Sequence, residues 1–216
     1  MALSLAGNNL GGQPPPNAGR IANVHSSLAE IFGCKFDPDG DLTLIIGSDN
    51  VDVTVDSNAL CRLSIVFRKM LRDPWLEAKP ASGEWRVHLP EDNAYAFSFI
   101  LDMVHCRYEK PVRGHSLAMM FSILIIVNKY NMYRLIRPVA KSWMTDAIKQ
   151  AKPDLVSQYR LLFVAWGLGD DATFCQTAKS IALSFPVNWA GNHFDANTGV
   201  VLQNLFGLHL MNVAGK

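Results

Sequence analysis

Only four cysteines occur in 216 residues, Cys34, Cys61, Cys106 and Cys175, widely spaced and with no CxxC pair. A chain of this length does not need disulfide staples, so they are expected as free thiols in an intracellular, reducing compartment, cytoplasmic or nuclear. Charge of one sign is missing as well: 20 Lys and Arg stand against 19 Asp and Glu, a formal net charge of +1. Such a chain has no overall field to draw in phosphate backbones or anionic lipid, and no nucleic-acid or membrane partner is expected. The most apolar stretch, Leu117 to Val127, is far short of the ~20 residues a membrane helix requires, and reads as a buried core helix. The opening MALSLAGNNL has no basic region and does not read as a signal peptide, and no Asn-x-Ser/Thr sequon occurs. There is no GxxxxGK[ST] loop, GxGxxG, HExxH or GxSxG. No catalytic, cofactor-binding or metal-binding residue is therefore assigned, no cofactor is expected, and the chain is not read as an enzyme.

What is present is core material. Hydrophobic residues make up 49 % and charged residues 18 %, enough for one domain with an appendage or one full domain beside a small second one. Residues 1–22, rich in Gly, Pro and Asn, have little to bury and are expected to be a flexible tail. Next, Ile21, Val24, Leu28, Ile31 and Phe32 fall on one helical face, and Ser27 with Glu30 makes a capping box. DLTLIIG and VDVTV alternate like two strands of a hairpin, joined by Gly47-Ser48-Asp49-Asn50. A helix capped by Ser57 or Asn58 follows, with Leu60, Leu63 and Ser64 inward; a second carries Val66, Phe67, Met70 and Leu71 until Asp73-Pro74 stops it. WRVHL reads as a lone strand, and a helix opening at Pro90–Asn93 buries Ala94, Phe97, Leu101 and Val104. Further helices are expected over 117–128, 132–148, 155–166, 172–185 and 198–211, with Gly167-Leu168-Gly169-Asp170 as a helix stop followed by an Asp cap. This is an α+β layout dominated by helices.

Three features invite chemical readings. Asp37-Pro38-Asp39-Gly40-Asp41 opens like a calcium loop, yet Leu42 and Ser48 stand where the glycine and the bidentate glutamate belong, so a polar turn is expected. His105 and Cys106 point about 100° apart on a helix, and only His115 lies near enough to join them, so a helix end is expected rather than a zinc site. From Lys110 to Thr145 there is no acid, and Lys129, Arg134, Arg137 and Lys141 suggest a basic face, solvated or open to an acidic partner.

Taken in order, DLTLIIG, VDVTVDSNALCRLSIVFRKML, WRVHLPEDNAYAFSFILDMVH and LIIVNKYNMYRLIRPVAKSWM resemble a BTB/POZ domain of the divergent filamentous-fungal type, over about residues 24–150. The resemblance is carried by the Ser-x-Val-Phe segment Ser64, Val66 and Phe67 with Met70, by HLPEDN, and by Asn128-Lys129-Tyr130 followed by Leu135, Val139 and Trp143. It implies a small, mainly three-stranded sheet capped by helices over 23–150, and a helical extension over 151–216. Leu44, Val53, Leu60, Leu89, Phe97 and Leu101 would complete the core with those residues. It also implies a non-catalytic protein-interaction scaffold, homodimeric through the helix before the first strand, where Val24, Leu28, Ile31 and Phe32 lie. Some members are substrate adaptors of cullin ubiquitin ligases, which is the alternative here. Those usually carry an acid two positions after a hydrophobic residue at the start of the fourth helix, where this chain reads HSLAMMF.

Overall fold

A computed structural model describes residues 31–107, 114–188, 191–197 and 199. The expected tail over 1–22, most of the helix leading to Phe32, and the helix over 198–211 lie outside the described residues. Among the described residues the fold is α+β, with four strands and eight helices.

The strands are β1 (Cys34–Lys35), β2 (Leu42–Ile46), β3 (Val51–Val55) and β4 (Arg86–Leu89). Their order in the sheet is β1-β3-β2-β4; β2 and β3 form the expected antiparallel hairpin, while β1 runs parallel to β3 and β4 parallel to β2. Period-2 alternation places Leu42, Leu44 and Ile46 with Val51, Val53 and Val55 in the core, each 0–1 % exposed. The fourth strand, β1, extends the expected mainly three-stranded sheet. Arg107 holds it, donating to the Lys35 carbonyl at 2.9 Å with its guanidinium 5.1 Å from the Phe36 ring centre. The turn before β2 needs Gly40, because a Cβ there would lie 2.8 Å from both Thr54 Cγ2 and the Val55 carbonyl.

Helices α1 (Ser57–Leu63) and α2 (Ile65–Arg72) cross from β3 to β4. The cap of α1 is Asp56, whose carboxylate accepts from the Asn58 N–H at 2.8 Å, in place of the expected Ser57 or Asn58. Ser57 is instead tied to Asp41, through its backbone N–H (2.9 Å) and its hydroxyl (3.0 Å). Helix α3 (Ala94–Val104) is capped by Asn93, and α4 (Leu117–Lys129) is the apolar centre, packed on α3, α6 and α7.

The helix expected over 132–148 is two: α5 (Tyr133–Ile136) and α6 (Ala140–Gln150). Pro138 lies in the turn between them; it has no N–H to continue the ladder, and its ring collides with the preceding turn. Then α7 (Leu155–Leu168) and α8 (Asp171–Ser184) form an antiparallel pair. Their junction follows the expected chemistry: Gly169 takes a left-handed φ of 74° and ends α7, and Asp170 accepts from the Thr173 N–H to start α8. Phe163 of α7 meets Phe121 of α4 at 5.0 Å between ring centres. One apolar core thus runs continuously from Ile31 to Ala165, with a small satellite of Leu155, Ile181 and Phe185 under α8. Among the described residues no helix is long and apolar enough to cross a membrane.

Candidate functional site

The residues singled out in the sequence converge on Tyr130, just past the C-terminus of α4. Its ring stacks on Phe67, 4.3 Å between centres, and meets Phe97 edge-on at 5.6 Å. Its carbonyl accepts from the Ser64 hydroxyl, while Ser64 Oγ also accepts the Phe67 N–H and so caps α2. Ser64 is therefore a junction between two helices rather than simply an inward residue of the first. The Tyr130 hydroxyl donates to Asp92 Oδ2, and Lys129 Nζ donates to Asp92 Oδ1 at 2.9 Å. Burial, reinforced by the hydrogen bond and charge of Asp92, pushes the Tyr130 hydroxyl far above the usual phenol value, which keeps it a donor. Asn128 accepts from the Tyr133 hydroxyl at 2.7 Å, so each residue of Asn128-Lys129-Tyr130 has an assigned contact.

The other core candidates divide by exposure. Leu44, Val53, Leu60, Leu89, Phe97, Leu101 and Trp143 are buried, whereas Val66, Met70 and Leu135 are partly buried against the same core. The candidates for chemistry have structural contacts. Asp39 N–H donates to Asp37 Oδ1 in a tight turn. Burial pulls the Asp41 carboxyl upward, but the bonds from Ser57 and the Lys79 ammonium more than offset it, leaving the group below the ordinary carboxylate value. His105 ends α3, with Nδ1 facing the Leu101 carbonyl (3.0 Å) and Nε2 accepting the Asp56 N–H (3.1 Å); these partners assign the proton to Nδ1. Cys106, exposed, follows at a φ of 56°. His115 sits elsewhere, edge-on to Phe99 at 4.4 Å and Trp143 at 5.5 Å, its Nε2 buried without a partner. Among the described residues no group of three His, Cys, Asp or Glu is placed to hold a metal ion.

The surface is more varied than the sequence reading allowed. Of the four residues assigned to a dimer helix, Val24 and Leu28 lie outside the described residues, Ile31 is buried in the chain's own core, and Phe32 is 60 % exposed. Of the expected basic face, Lys129 is engaged by Asp92, while Arg134, Arg137 and Lys141 are exposed. A groove of about 660 Å³ lies between the β2–β3 turn and the N-terminal ends of α3 and α4, with Asp49 and Glu91 at its edge and Tyr95 and Met119 in its wall. A second groove, on α1 and α2, is lined by Arg62, Arg68 and Arg72 and was missed. Its signal was in the sequence: Arg62, Arg68, Lys69 and Arg72 fall within eleven residues that contain no acid. No protein-family model and no curated protein sequence matches the chain.

Proposed function

We propose that this chain is a BTB/POZ-type interaction module that self-associates through the segment ending at Phe32, docks partner proteins, and carries out no catalysis. The observation that carries the reading is the relay Ser64–Tyr130–Asp92. It joins in space the three segments on which the resemblance rests, Ser-x-Val-Phe, HLPEDN and Asn128-Lys129-Tyr130, which are separated by up to 66 residues along the chain. A single module built from these three segments requires them to meet, and their contact supports the reading. The helical spacing of Val24, Leu28 and Phe32 in the sequence, with Phe32 exposed, supports self-association.

Light scattering after size exclusion on the full chain tests this, alone and with a purified cullin N-terminal domain. The expected mass is twice that of one chain, falling to one in Leu28→Asp/Phe32→Asp with thermal stability unchanged. A monomer at every concentration removes self-association. Co-elution with the cullin domain would add the adaptor role to the same module.

A further inference from the structure

The α1–α2 groove has a composition of its own. It is a wide, open depression of about 530 Å³ lined by Asp56, Asn58, Cys61, Arg62, Arg68 and Arg72. Two of its arginines, Arg68 and Arg72, are positioned by bonds within the chain. Arg68 Nε donates to the Cys61 carbonyl at 3.0 Å, which turns its two terminal amino groups away from that bond. Arg72 donates through one terminal nitrogen to Asn58 Oδ1, and Arg62 lies 3.7 Å from Asp56 with its side chain 70 % exposed. A guanidinium offers five N–H donors in a planar fork, so one bond each leaves most donors of Arg68 and Arg72 for a ligand. Holding the forks beforehand lowers the entropy cost of binding a carboxylate through two parallel bonds.

From this geometry we infer that the groove docks an acidic segment, rich in Asp and Glu, of a partner protein. This deepens the partner-docking reading and rests on it only in taking the ligand to be a protein. The residues outside the described ones do not supply the occupant. Outside the described residues the acids are Glu30 and Glu109, one in each of two separate stretches, and 200–216 holds none. A nucleic acid is a poorer match, because the groove contains no aromatic side chain for a base to stack on. On a chain of net charge +1, attraction of this kind is local to the groove.

The test is fluorescence anisotropy of a labelled ten-residue peptide of alternating Glu and Asp against the full chain, with a labelled neutral Gln/Asn peptide and a labelled single-stranded DNA oligonucleotide as parallel probes and inorganic phosphate as an unlabelled competitor. Binding of the acidic peptide is expected, weakened about tenfold or more both by Arg62→Glu/Arg72→Glu and by raising salt from 50 to 500 mM. The conservative Arg62→Lys/Arg72→Lys should recover part of the affinity, and thermal melts confirm that each variant folds. No binding, binding unaffected by the charge reversal, equal binding of the neutral peptide, or stronger binding of phosphate or DNA each overturns the inference. Loss of self-association on charge reversal without peptide binding would assign the groove to a second copy and overturn it too. Light scattering reports self-association independently, so a dimer that ignores the peptide, or a monomer that binds it, separates this inference from the self-association reading.

Discussion

Around Tyr130, side chains from three places far apart in sequence are joined: Ser64 and Phe67 at the start of α2, Asp92 in a turn, and Lys129 with Tyr130 at the end of α4. The last described helix is built differently. Helix α8 buries only Thr177 and Ile181 among its fourteen residues, and Leu183 on it is 77 % exposed. Its start is set by one local bond, Thr173 N–H to Asp170. The first region depends on non-local polar bonds inside an apolar core, where an unsatisfied group is costly. The second depends on neighbouring residues and a thin apolar seam, and should open at lower free energy than the rest. One chain thus carries a globally coupled half and a locally coupled appendage.

Asp92→Ala has the largest expected effect. It strands the buried Tyr130 hydroxyl and should cost about 3 kcal/mol of global stability in urea denaturation. In a double-mutant cycle with Tyr130→Phe the two losses should be less than additive. Full additivity would mean that the hydroxyl finds another partner, and the contrast between the regions would fail. Asp170→Ala comes next. Losing the cap of α8 should cost about 1 kcal/mol, seen in native-state hydrogen exchange as amides of 171–184 opening about fivefold more often, with those around Tyr130 unchanged. A uniform increase across both regions would show them to be one cooperative unit.

The smallest effect is a pH dependence. Burial against Phe99 and Trp143 lowers the His115 imidazole below its ordinary value of 6.5. As pH falls below about 6.5 the unfolded chain takes up this proton before the folded one, so the stability contributed by the neutral ring declines until the lower folded value is reached. The melting temperature should therefore be lower at pH 5.5 than at pH 7.5, with a shallower slope in His115→Phe. An unchanged slope in that variant would place the effect on other groups. Asp41 acts further down: its stabilisation is present above the free carboxyl value of 3.8 and is lost as pH falls through its depressed folded value.

Elements with a clear local period were readable in the sequence: Leu42–Ile46 and Val51–Val55 by alternation, α4 by its apolar run, and the α7–α8 junction by Gly169-Asp170. Two residues of β1 have no period to detect, and they pair only because the chain passes β3 there. The break at Pro138 was legible and outweighed by the apolar spacing on both sides of it. Lys129 was assigned to a surface charge because its partner, Asp92, is 37 residues away. Proximity of that kind is a product of the fold, as is the bond from Asp56 to His105 across 49 residues.

The bond from Ser64 to the Tyr130 carbonyl has a consequence during synthesis. Its acceptor is made 66 residues after its donor, which at about 5–20 residues per second is a delay of roughly 3 to 13 s. Until then Phe67 lacks the ring it stacks on, and α1 and α2 leave the ribosome with an apolar face uncovered. A chain stalled before residue 130 would therefore carry exposed apolar surface and be prone to aggregate.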